Sequence, residues 1–297
     1  MTPQPPPFLP SAILTLSILS AAAYTTKITT KTKTKTSSKQ QQQQQQQQQP
    51  SSLSLSLSRA ATKTLSTSLL ALFAHLRSSP RALVVALALG SLGDAFLAFD
   101  SGSSDDAAFL RGLASFLVAH LFYIYLFVSQ QYQDQDQDQG QDLFIFISRL
   151  REILSKATSQ QPISLVLVFS VVALLAVLLP RVAGPLRAPV AVYSLVILIM
   201  GIAAVGLSES ITGVGLESAA GLESSTDGGG CGTGTGTGTA VSDVKRILTG
   251  ALLFTASDAI LATGRFLVAP ESSLQAWMQP AVWVLYYSGQ MLITLWF

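Results

Sequence analysis

Two acids stand where a bilayer would penalise them, and their chemistry has to be explained before anything else. The span Arg81 to Phe99, RALVVALALGSLGDAFLAF, is apolar and long enough to cross a bilayer at about 1.5 Å per residue, yet Asp94 lies more than halfway along it. The span Ile247 to Val268 carries Asp258 in the same way, and the string Asp-Ala-x-Leu-Ala occurs in both. A carboxylate at the centre of a membrane helix costs roughly 2.5 to 3.5 kcal/mol, so each acid is expected to face protein. Stepping by four from Ala82 gives Ala86, Gly90, Asp94 and Ala98, small residues that let another helix come close to the acid. Of the sixteen acidic residues only these two lie well inside apolar spans, and they read as a pair. Burial favours the neutral form of a carboxyl. Two such groups can divide acid and base work, each contributing about 10²- to 10⁴-fold to a rate.

Other residue types narrow the chemistry. Apolar residues make up 49% of the 297 and charged residues 11%, with a mean hydropathy of +0.45, the balance of a polytopic membrane protein. The single cysteine, Cys231, excludes an intramolecular disulfide and multi-cysteine metal sites, and two histidines are too few for a three-histidine zinc site. There is no G-x-S-x-G elbow and no H-E-x-x-H. The glycines from Gly228 to Gly232 follow no strand pattern and precede no P-loop lysine, so they do not cradle a phosphate. No metal, soluble cofactor or nucleic-acid partner is indicated. Carboxylate catalysis within a bilayer is the simplest enzyme reading.

The elements that must position these acids form an all-α membrane protein, a polytopic bundle of about eight transmembrane helices with low-complexity loop insertions. Residues 1–24 read as a first transmembrane helix or a signal-like segment, the absence of Lys and Arg from the first seven residues favouring the helix. Residues 25–59, rich in Lys, Thr and Gln, read as a disordered insertion. Residues 60–297 form a multi-pass domain with flexible insertions at 129–142 and 208–243. Its spans are Ala60–Leu76, Arg81–Phe99, Ala107–Val128, Ile163–Leu179, Ala188–Leu207, Ile247–Val268 and Pro280–Phe297. An amphipathic piece from Leu143 to Lys156 is expected on the membrane surface. His120, Tyr123 and Phe127 share one helix face, and Arg265 lies two turns beyond Asp258 on its face. The lysines of the first loop place that loop in the cytosol and both termini on the opposite side.

Several blocks resemble the YhhN family of membrane lysoplasmalogenases: LGSLGDAFLAF (Leu89–Phe99), FLRGLASFLVAHLFYIYLF (Phe109–Phe127), AVYSLVILIM (Ala191–Met200), GALLFTASDAILATGRF (Gly250–Phe266) and YYSGQMLI (Tyr286–Ile293). The resemblance implies a hydrolase that cleaves the vinyl-ether bond of a lysoplasmalogen, releasing a fatty aldehyde and a glycerophospho-choline or glycerophospho-ethanolamine. Lysophospholipid and water are then the substrates, and the endoplasmic reticulum is the expected membrane. The resemblance places catalysis on Asp94 and Asp258, and substrate binding is expected at His120, Tyr123, Tyr286, Tyr287, Gln290, Arg265 and Lys63. The chain departs from the family at Lys63-Thr64, where Lys-Pro is usual. A proton- or cation-coupled transporter, or a lysolipid-binding protein without catalysis, would use the same acids differently.

Overall fold

The computed structural model describes residues 8–37, 52–98, 106–132, 143–223, 236–269 and 272–297. Among them are nine α-helices and no strand: α1 (Phe8–Ser37), α2 (Ser52–Leu76), α3 (Arg81–Ala98), α4 (Ala107–Gln131), α5 (Leu143–Gln160), α6 (Pro162–Leu178), α7 (Gly184–Glu223), α8 (Gly236–Phe266) and α9 (Ser273–Trp296). The insertions expected at 25–59, 129–142 and 208–243 lie partly outside the described residues. Their flanks are helical: α1 continues to Ser37, α2 begins at Ser52, α4 runs to Gln131, α7 runs to Glu223 and α8 begins at Gly236. A helix already nucleated in the apolar span extends at little further cost.

Seven helices pack in the order α1, α2, α3, α4, α7, α8, α9, and α9 returns to α1, closing a ring. Helices α5 and α6 lie outside this ring and pack mainly on α7. Among the described residues, six helical stretches are long and apolar enough to cross a membrane: Phe8–Lys27, Arg81–Ala98, Ala107–Gln131, Pro162–Arg181, Gly184–Ile211 and Lys245–Phe266. Helices α2 and α9 are not among them; Lys63 and Thr67 of α2 and Tyr286 and Gln290 of α9 turn inward. Leu165, Val166, Phe169 and Val172 of α6 stand bare on the outside, as residues that meet hydrocarbon do. Amphipathic α5 buries Ile153 and Ala157, while Glu152 and Lys156 pair outside, one helical turn apart.

Two local devices fix the helices that carry the acids. At the end of α2, Ser78 takes a left-handed φ of 59°, and the Ser79 N–H bonds the carbonyl of Ala74. The chain therefore reverses within a few residues, and α2 lies antiparallel beside α3. Between α8 and α9 the backbones themselves touch. A Cβ on Gly250 would sit 2.9 Å from the Gly289 carbonyl oxygen, and one on Gly289 would sit 2.8 Å from that of Gly250. Backbone cannot rotate away as a side chain can. Gly250→Ala or Gly289→Ala is expected to destabilise the bundle by about 1–3 kcal/mol, as overpacking does. Thermal unfolding in detergent checks this against Gly184→Ala, whose new methyl meets nothing within 4 Å and should leave the midpoint unchanged.

Candidate active site

The tight turn at Ser78 sets the first acid against a base. Lys63 lies fifteen residues before Ser78 and Asp94 sixteen after it, so the antiparallel pair brings them level. Lys63 Nζ is 2.9 Å from Asp94 Oδ1. The other carboxylate oxygen accepts the Tyr286 hydroxyl at 3.0 Å and the Thr67 hydroxyl at 3.4 Å. Tyr286 reaches it because Gly90 leaves room: a Cβ there would sit 3.1 Å from the Tyr286 oxygen and 2.9 Å from Gln290 Nε2. Gly90 thus admits these two α9 side chains, and Asp94 is 1% exposed, facing protein as expected.

The second acid has different neighbours. Asp258 Oδ2 accepts the Tyr193 hydroxyl of α7 at 3.1 Å and lies 3.6 Å from His120 Nε2 of α4. His120 Nδ1 is 2.6 Å from the carbonyl oxygen of Phe116, one turn earlier on α4. A carbonyl only accepts, so Nδ1 carries a proton and Nε2 is the nitrogen turned to Asp258. The rings of Tyr193 and Phe254 meet the imidazole edge-to-face, at 5.4 and 4.8 Å between centroids. These contacts hold the imidazole plane while leaving Nε2 toward the carboxylate.

Phe116 and Phe254 stand between the two clusters. The Phe116 ring fills the space where a Cβ on Gly93 would lie 2.7 Å away, and its edge meets Tyr286 with centroids 5.9 Å apart. Phe254 is 5.2 Å from Tyr286 on one side and touches His120 on the other. No hydrogen bond joins Asp94 to Asp258 among the described residues.

A partly open cavity of about 70 Å³ lies between α3, α4, α6, α7 and α8. Its wall is mostly apolar, from residues such as Leu97, Phe116, Leu174 and Ile197, and it includes Asp258, Tyr193 and Arg265. Asp94, Lys63 and His120 are not in that wall. The Arg265 guanidinium donates to Asp106 Oδ1 at 3.3 Å and lies over the Phe109 ring.

The residues selected from the sequence therefore divide. Asp94, Lys63 and Tyr286 meet, with Gln290 buried beside Gly90. Asp258 and His120 meet, and Tyr123 is buried with its ring 6.5 Å from the imidazole. Tyr287 points elsewhere, its hydroxyl 2.6 Å from that of Ser17 on α1. Lys63, expected at the substrate, is engaged by Asp94. Sequence reasoning passed over Tyr193 and Thr67. Tyr193 carried the same signal as the acids, a polar group within an apolar run.

A model of the YhhN family matches residues 58–297, which take in every member of both clusters. No curated protein and no solved structure gives a significant match.

The Lys63–Asp94 pair makes a stability prediction. Removing one partner leaves an uncompensated charge in the interior, a loss of about 3–5 kcal/mol, whereas replacing both with apolar residues is close to neutral. Lys63→Met and Asp94→Leu should each lower the thermal midpoint in detergent sharply, and the double variant should recover most of it. A double variant no more stable than the worse single one would show that the pair does not act as a unit.

Proposed function

Because the chain belongs to the YhhN family, its match running from residue 58 to residue 297, we propose that it is a lysoplasmalogenase-like hydrolase in which Asp258 is the acid that meets the substrate. The observation that carries this reading is the placement of Asp258 in an apolar cavity with Tyr193 on its oxygen and His120 behind it. Asp94 is turned to Lys63 and shielded from the cavity. It serves as the electrostatic partner, its charge fixed near the site but not delivered to the lipid.

The chemistry follows from the bond to be broken. A vinyl ether is protonated at its β-carbon: a carboxylic acid gives up its proton, the π pair forms the new C–H bond, and the α-carbon becomes an oxocarbenium ion. The carboxylate just formed lies beside that cation and stabilises it where water is scarce. Water then adds its oxygen to the α-carbon, and its proton returns to the carboxylate. The resulting hemiacetal collapses to aldehyde and glycerol hydroxyl, so one water is consumed and Asp258 is regenerated.

His120 suits this cycle. Its Nδ1 proton is committed to the Phe116 carbonyl, and Nε2, which has no hydrogen-bond partner, stands 3.6 Å from Asp258 Oδ2, so that a small approach would let the two exchange a single further proton. With that proton on oxygen the pair is an acid ready to donate. With it on nitrogen the carboxylate is free to accept. His120 acts through Asp258, as a positioning residue and proton store, and Tyr193 fixes the oxygen that both use. Water is the only co-reactant the cycle requires, and the endoplasmic reticulum is its expected membrane.

The test is fatty-aldehyde release from choline and ethanolamine lysoplasmalogens by the purified chain in detergent. Asp258→Asn should lower kcat by about 10²- to 10⁴-fold, the usual share of a general acid. His120→Asn should lower kcat with little change in KM, and Tyr193→Phe should do so more mildly. Turnover near wild type in a folded Asp258→Asn variant would overturn the mechanism. No aldehyde from a folded wild-type protein would overturn the hydrolase reading, in favour of lysolipid binding or of ion-coupled transport.

A further inference from the structure

Resting on the hydrolase reading for the class of lipid, we propose that Arg265 is the phosphate site of the cavity and that Asp106 occupies it until the lipid arrives. Arg265 is the one cation in a wall that is otherwise apolar apart from Asp258 and a few hydroxyls. Its guanidinium is seated on the Phe109 ring, which orients the planar fork. Its partner, Asp106, precedes the first turn of α4 and makes no side-chain bond to that helix. Both side chains are part-exposed, Arg265 at 29% and Asp106 at 40%, so the pair can open without unpacking the bundle.

The spacing fits one kind of ligand. Seven residues separate Asp258 from Arg265, about 10.5 Å along one face of α8 at 1.5 Å per residue. In a lysoplasmalogen roughly seven bonds separate the vinyl β-carbon from phosphorus, about 8–9 Å when extended at ~1.2 Å per bond. A lipid whose vinyl ether lies against Asp258 therefore brings its phosphate to the guanidinium. Phosphate and carboxylate compete for the same donors, and a phosphodiester accepts the fork through two oxygens. The cavity thus selects for an anionic phosphate at a fixed distance from the bond to be cut. A neutral alkenyl glycerol of the same chain length lacks this anchor.

Binding of an uncleavable lipid tests this apart from turnover. The full-length wild-type chain in detergent should bind 1-O-alkyl-glycerophosphocholine at least about tenfold more tightly than 1-O-alkyl-glycerol, the worth of a charge-assisted hydrogen bond. Arg265→Gln should abolish that ratio, and Arg265→Lys should keep part of it. Asp106→Asn, which removes one competing carboxylate, should tighten the phospholipid alone. A ratio that survives Arg265→Gln, or phospholipid binding that weakens in Asp106→Asn, would overturn the proposal, with thermal midpoints confirming that each variant is folded. Inorganic phosphate that competes as well as the lipid would assign the site to a free anion, and also overturn it. The saturated ether is not hydrolysed, so the two readings fail separately. A full ratio without aldehyde release from lysoplasmalogen would sink only the hydrolase reading. Aldehyde release without the ratio would sink only the phosphate site.

Discussion

The Lys63–Asp94 ion pair is the constraint from which the rest of the bundle follows. In hydrocarbon no water is at hand to satisfy a polar group, so each charge must find its partner in the protein. That requirement ties α2 to α3 through the pair itself and α9 to both through Tyr286. It dictates Gly90, whose missing side chain admits Tyr286, and the Ser78 turn, which makes the two charges level. A polar seam then continues outward. Ser91 bonds the Thr64 carbonyl between α3 and α2, and Ser17 joins α1 to both the Ser66 carbonyl and the Tyr287 hydroxyl. Half of the ring is held by this chain of short contacts, and the other half is packed mainly by aromatic rings.

The acids were legible in the sequence because their energetic cost is large and local: a carboxyl in an apolar run needs no knowledge of the fold to be noticed. Their partners were less legible, for different reasons. Lys63 could have been matched to Asp94 by counting equal distances from a tight turn, but Arg77-Ser78-Ser79-Pro80 reads as a turn without announcing that Ser78 is left-handed. Tyr193 was hidden because tyrosine is ordinary in membrane helices and its acid lies 65 residues away. Tyr286 and Tyr287 are neighbours about 100° apart on a helix, so only one can face Asp94. Choosing between them requires knowing that α1 lies on the other side. Of the eight spans expected from the sequence, six are long and apolar enough to cross a membrane among the described residues; α2 and α9 are not, although both pack in the ring and carry buried polar side chains.

Phe116 separates the two acids. Its ring is part of the wall of the cavity that holds Asp258, and its backbone carbonyl orients His120 toward that acid. The slot that holds the ring is Gly93, immediately before Asp94. The local sequence Gly90-Ser91-Leu92-Gly93-Asp94 thus serves two packing tasks at once. Gly90 gives Asp94 its tyrosine, and Gly93 gives the neighbouring helix the aromatic wall that separates the two carboxylates.

The repeated string around the acids, Asp94-Ala95-Phe96-Leu97-Ala98 and Asp258-Ala259-Ile260-Leu261-Ala262, invites a symmetric reading in which α3 and α8 are equivalent halves. Their surroundings argue otherwise. Asp94 is held by a lysine, a tyrosine and a threonine and is closed to the cavity, while Asp258 is held by a tyrosine, faces an imidazole and opens on it. Two sites relaying one ion by turns would need similar ligands and alternating access. A fixed cation beside one acid and an imidazole beside the other suit the proposed hydrolysis, in which one carboxyl would donate and recover a proton while the other holds the local field steady. The string supplies the same backbone and the same small neighbours to both helices, and the helices packed against each give the acid its role.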